Sequence, residues 1–160
     1  MRTIVVPTRI RSLLWVLALA LLTPLPGVAQ AAAQAEAGAV VWLVRHAERT
    51  DDGMEVHAPD PDLSPTGQIR AEALARLLQD AGITAVHSTP YARTRQTAAP
   101  LAAALGVEVQ EYDPGDAEAM ESFIESIRSS GHHLVVGHSN TTPGLVRALG
   151  GDPVGPIANL

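Results

Sequence analysis

An arginine and a histidine stand side by side at Arg45 and His46, a second arginine follows at Arg93 and a second histidine at His138. Guanidinium forks match the paired oxygens of a phosphoryl group and stay charged at any working pH. An imidazole titrates near neutrality and can serve as a neutral nucleophile or as a charged donor. The four side chains would suit phosphoryl transfer. A neutral His46 would attack phosphorus and form a phosphohistidine that water later hydrolyses, while protonated His138 would join Arg45 and Arg93 on the equatorial oxygens. Neither a metal nor an organic cofactor is required by that scheme. Arg49 sits in the loop beyond and could swing in as a further substrate contact; Arg95, two positions past Arg93, points away on a helix.

For residues so far apart in sequence to meet, the chain must bring them to one edge. Runs rich in β-branched residues lie at "AVVWLVR" (39–45), "ITAVHS" (83–88), "VEVQEY" (107–112) and "HLVVGH" (133–138). Helical stretches separate them. In the first, Ser64 suits the N-cap, Pro65 the first turn and Gly82 the stop, with Ile69, Ala73, Leu74, Leu77, Leu78 and Ala81 recurring as an apolar face. "YARTRQTAAPLAAALG" predicts a second helix with Pro100 as its weak point, "DAEAMESFIESIRSSG" a third and "TTPGLVRALGG" a short fourth, which Ser139 or Asn140 would cap. Strand alternating with helix implies an α/β fold with parallel strands covered on both faces. Ligands of such sheets gather at the carboxyl ends of the strands, and helix amino termini there favour anions. Arg45 and His46 follow the first strand, Arg93 the second and His138 the fourth, so the topology itself brings them to one rim. His57 and His87 have no evident partner, and His132 and His133 precede a strand, where a turn role or partial exposure is the default.

Composition narrows the remaining classes. Hydrophobic residues make up 46% of the chain and charged ones 18%, as in a globular protein, while aromatics at 3% leave an aliphatic core. Residues 1–33 read as a secretory signal peptide: Arg2, Arg9 and Arg11, an apolar run from Leu13 to Leu22, and small residues at Ala29, Ala31 and Ala33 for cleavage. That run is short of the roughly 20 residues a bilayer span needs, so stable membrane insertion after cleavage is not expected. The destination would be the periplasm or the exterior, where a chain without cysteine has no thiol to oxidise. All 17 carboxylates lie at or after Glu36 against eight arginines, so the chain beyond residue 33 carries a formal charge of −9. Such a field argues against nucleic acid or anionic membrane as partners. A metal site is the rival reading, yet no helix carries a histidine pair at ligand spacing.

"LVRHAER", "LSPTGQIRAEALARLL", "STPYARTRQTAAPLAAALG" and "LVVGHSN" occur in that order, and the set resembles the motifs of the histidine phosphatase superfamily, in its phosphoglycerate-mutase-like branch, from Val41 to about Gly151. The resemblance implies a three-layer α/β sandwich with a mostly parallel central sheet over residues 39–160. It also implies His46 as the phosphorylated nucleophile, Arg45, Arg93 and His138 as the phosphate pocket, and a small phosphorylated substrate. For the acid that protonates the leaving group it nominates Glu111, in "VQEYDPG", with Glu48 and Asp116 as rivals. A catalytically silent phosphate-binding module of the same fold is the alternative. Members of that branch carry another strand after the equivalent of "GGDPVGPIANL", so the sheet is expected to lack an edge strand or the sequence to be a fragment.

Overall fold

A computed structural model of the chain describes residues 38–152 and 155. The chain divides into two units, residues 1–36 and 37–160. The leader reading therefore falls outside the described residues, as do residues 153, 154 and 156–160 of the last segment.

Among the described residues eight elements alternate along the second unit: β1 (Val40–Arg45), α1 (Pro65–Leu78), β2 (Ala85–Ser88), α2 (Ala92–Leu105), β3 (Val109–Glu111), α3 (Ala117–Ser129), β4 (His132–Gly137) and α4 (Thr142–Ala148). The strands form one sheet in the order β1-β4-β2-β3, every pairing parallel. Alternate residues of β4 serve opposite layers, as a pleated strand requires. Leu134 and Val136 pack with Val86 against Leu78 of α1 and Leu101 of α2, whereas Val135 packs with Ile127 of α3 and Leu145 of α4. The result is the three-layer arrangement expected from the alternation. None of the described helices is long and apolar enough to cross a membrane.

Local chemistry sets the helix ends. The Ser64 hydroxyl accepts from Gly67 N–H at 3.1 Å with Pro65 in the first turn, and the Asp116 carboxylate accepts from the N–H groups of Glu118 and Ala119, both at 3.0 Å. Helix α2 ends on Gly106 in the left-handed region (φ 68°), which glycine enters without steric penalty. Helix α4 starts at Thr141 with no side-chain cap, so neither Ser139 nor Asn140 fills the capping role expected of them.

The apolar face read for α1 needs correction. Gly67, Ala71, Ala75 and Leu78 are the buried residues, while Ile69 and Leu77 are 64% and 75% exposed. Close approach explains the rotation. A Cβ on Gly67 would lie 2.1 Å from the Glu48 carbonyl oxygen, and Ala71 packs with Ala47 and Leu63. Small residues let the helix press onto the loop after β1, and the larger apolar ones are left outside. That loop is closed by the bridge between Arg49 and Leu63 and by the 2.9 Å bond from Ser64 N–H to Glu48 C=O.

Candidate active site at the carboxyl ends of the strands

Strand register brings the exits of β1, β4 and β2 level. Arg45 stands opposite Gly137, and Val136 opposite Ser88. The ladder runs one residue further, with His46 N–H donating to Gly137 C=O at 3.0 Å, and Ala47 N–H then donates to the Thr97 hydroxyl of α2, also at 3.0 Å. His46 is thus held by the backbone on both sides. Its Nδ1 lies 2.7 Å from the Ala47 carbonyl oxygen. A carbonyl only accepts, so Nδ1 carries the hydrogen and Nε2 carries the lone pair. Burial, opposed by the Ala47 bond and reinforced by the cations of Arg45, Arg93 and Arg49, holds the ring's pKa below its usual value. At neutral pH His46 is an uncharged imidazole among cations.

The second imidazole meets the first. The rings of His46 and His138 are 5.5 Å apart and edge-on, and the Tyr91 ring meets His138 at 5.2 Å. Arg93 is the second residue of α2, and its guanidinium carbon stands 4.4 Å over the Tyr91 ring. Its Nε is buried without a hydrogen-bond partner, a donor left over for an anion. Burial first, then Arg93, His46 and Arg45, push the His138 pKa down to about 4, so these surroundings by themselves hold the ring neutral at pH 7.

Carboxylates border this cationic cup. Asp60 accepts from Ala92 N–H at 2.8 Å at the start of α2 and lies 3.4 Å from Arg93 Nη1. Arg49 is held by Asp52, whose oxygens take its backbone N–H at 2.8 Å and its Nε at 3.0 Å, with Asp51 at 3.3 Å from Nε. The Arg49 charge still reaches His46 and Arg93. An open cleft of about 330 Å³ leads to the cup between Tyr91 and Arg93 on one side, Asp113 to Gly115 on another, and His138, Asn140 and Thr141. A slightly larger cavity, about 380 Å³, is lined mainly by Val41, Leu43, Val146 and Leu149 beside β1 and offers only Arg128 as a charged group, so it lacks the chemistry of the strand-end cleft.

None of the three carboxylates proposed as the acid lines that cleft. Glu111 pairs with Arg95 at 3.1 Å where both are half exposed, Glu48 pairs with Arg70, and Asp116 caps α3. Asp113, two residues past Glu111, is the carboxylate that does line it, and its Oδ1 accepts from Gly115 N–H at 2.8 Å. Sequence reasoning passed over Asp113, Tyr91, Thr89 and Thr94, although all lie in stretches it had singled out. The other histidines are also more engaged than expected: His57 Nδ1 is 3.3 Å from Asp51, and His87 and His133 are buried with their rings joined by a 3.1 Å hydrogen bond.

Among the described residues a parallel four-stranded sheet lies between two pairs of helices, with histidines and arginines at its carboxyl edge, and this arrangement matches the phosphoglycerate-mutase-like fold of similar solved structures. Residues 41–115 match the family model described as the histidine phosphatase superfamily (branch 1). His138 comes from beyond that segment. Among solved structures, the chain resembles one from Agrobacterium tumefaciens assigned as the phosphohistidine phosphatase SixA (24% identity, 68% of this chain and 74% of that one, TM-score 0.55). The protein histidine phosphatase SixA complexed with tungstate is similar at 20% identity, over 71% of this chain and 80% of that one, with a TM-score of 0.57. The mycobacterial glucosyl-3-phosphoglycerate phosphatase Rv2419c is similar at 18% identity, over 71% and 78%, with a TM-score of 0.52. At such identities the likeness concerns the fold. No curated protein matches the chain.

Proposed function

We propose that this protein is an exported phosphatase that hydrolyses small phosphomonoesters, or phosphohistidine, through a phosphohistidine intermediate on His46. The observation that carries the reading is the 2.7 Å bond from His46 Nδ1–H to the Ala47 carbonyl, which leaves the Nε2 lone pair bare beside Arg45 and Arg93. Nε2 attacks phosphorus while the bond from phosphorus to the leaving oxygen breaks. Arg45, Arg93 and a His138 protonated on arrival of the phosphate hold the three equatorial oxygens. Asp113, in place of Glu111, gives its proton to the leaving alkoxide and later takes one from the water that attacks the phosphohistidine. Inorganic phosphate leaves and His46 is restored. Export to the periplasm or exterior is supported by the order of charge, apolar run and small residues in 1–33.

The test is hydrolysis of p-nitrophenyl phosphate by the wild-type protein and by His46→Ala, with mass spectrometry of the acid-quenched reaction. Turnover that falls at least about 10³-fold in the variant, with a labile phosphate adduct on His46, is the expected result. Undiminished turnover in the variant removes the mechanism, and phosphate binding without any turnover by the wild type identifies a silent module instead. Adding a chelator should leave the rate unchanged.

A further inference from the structure

Behind the cup lies a run of buried hydroxyls joined to His138. Thr94 Oγ1 lies 2.8 Å from the Tyr91 carbonyl and 3.0 Å from the Thr89 carbonyl. Both carbonyls only accept, so the single Thr94 hydrogen is committed to them. With the Thr94 hydrogen so directed, the 2.8 Å contact between the Thr89 and Thr94 hydroxyls uses the hydrogen of Thr89. With that hydrogen spent, Thr89 Oγ1 can only accept across its 2.9 Å contact with His138 Nε2. Thr89 and Thr94 have no exposed surface, so solvent does not reverse the chain.

We infer that Thr89 and Thr94 are positioning residues that fix His138 in its Nε2–H form, turning Nδ1 into the nitrogen that meets the phosphoryl group. The inference rests on the phosphate pocket of the proposed function and adds a constraint to it. A bare Nδ1 lone pair repels an unprotonated phosphate oxygen, so His138 bonds such an oxygen only after Nδ1 takes a proton from solvent. The groups that face His138 are Arg45 and His46 after β1, Tyr91 and Arg93 at the start of α2, and Asp113 after β3. With two cations among them, the added proton enters together with the negative ligand. Phosphate binding is therefore linked to uptake of one proton at His138. A hydroxyl at position 89 is required for this, whereas its methyl group is not.

The experiment uses the full chain labelled with ¹⁵N at the imidazoles, with His138 signals assigned by their loss in His138→Gln, and inorganic phosphate as the ligand. The wild type should show the Nε2–H tautomer at His138, and proton uptake on phosphate binding by calorimetry in buffers of different ionisation enthalpy. Thr89→Val should lose that tautomer preference and bind phosphate about tenfold more weakly, as expected for one lost hydrogen bond to a charged group, and Thr89→Ser should restore both. An Nδ1–H tautomer in the wild type overturns the inference even if Thr89→Val fails to fold. So does a folded Thr89→Val with the wild-type tautomer and affinity. A wild type that shows the tautomer and the proton uptake but hydrolyses no p-nitrophenyl phosphate would leave the relay standing and end the phosphatase reading.

Discussion

An imidazole attacks well only when one of its nitrogens is occupied and the other is not, and at His46 a neighbouring carbonyl makes that division. The same residue-scale logic separates Asp113 from Glu111. Glu111 is paired with Arg95 on the surface, whereas Asp113 lines the cleft. General acids matter in proportion to the basicity of the group that departs. Asp113→Asn should therefore lower kcat/KM for an alkyl phosphate about 10²-fold while changing p-nitrophenyl phosphate, whose phenolate leaves unaided, by less than about threefold. Initial-rate assays with the two substrates measure the contrast, and equal losses on both would remove Asp113 from that role.

Two predictions belong to the elements. Helix α1 presses Gly67 against the Glu48 backbone, so Gly67→Ala should destabilise the domain by about 1–3 kcal/mol in urea denaturation, as overpacking does. Leu77→Gln, on a side chain that is 75% exposed, should change stability by no more than about 0.5 kcal/mol. Strands β2 and β4 carry the second. His133 Nε2 lies 2.8 Å from the Ser130 carbonyl and must donate to it, so His133 Nδ1 accepts from His87 Nε2. Burial, then the charge of His133, pushes the His87 pKa down to about 4. Unfolded His87 takes up its proton near pH 6.5, before the folded ring does, so the stability it contributes is complete above that pH and is lost as pH falls toward 4. The loss is on the order of 3 kcal/mol. His87→Leu should flatten that part of the stability–pH curve, and an unchanged slope would refute the assignment.

At the scale of the whole molecule, a small cationic cup is set in a strongly acidic protein. Beyond residue 33 the formal charge is −9, and Asp60 stands at the amino terminus of α2 against Arg93, the place where an anion would otherwise be welcomed. A dianionic substrate approaches against that field. Raising ionic strength from about 10 to 200 mM should therefore increase kcat/KM for p-nitrophenyl phosphate by a few-fold, because screening shortens the reach of the distant carboxylates more than that of the cup. A phosphomonoester with a cationic leaving group should show the opposite trend. Parallel falls for both substrates would mean that the arginines, and not the acidic surface, govern encounter.

The alternation of β-branched runs with helical stretches was enough to specify parallel strands with helices on both faces, because chain order and period leave few other ways to bury such segments. With that topology Arg45, His46, Arg93 and His138 had to reach one rim, so the residues of the cup were legible before any coordinates. The burial of α1 was not, since apolar periodicity cannot register that Gly67 allows a backbone contact which a larger side chain forbids. Nor could sequence choose Asp113 over Glu111, place Asp60 on Arg93 or assign the tautomers of His46 and His138. Each of those depends on distances of about 3 Å between groups brought together by separate elements, and hydrogen-bond direction is a property of such meetings, not of any one residue.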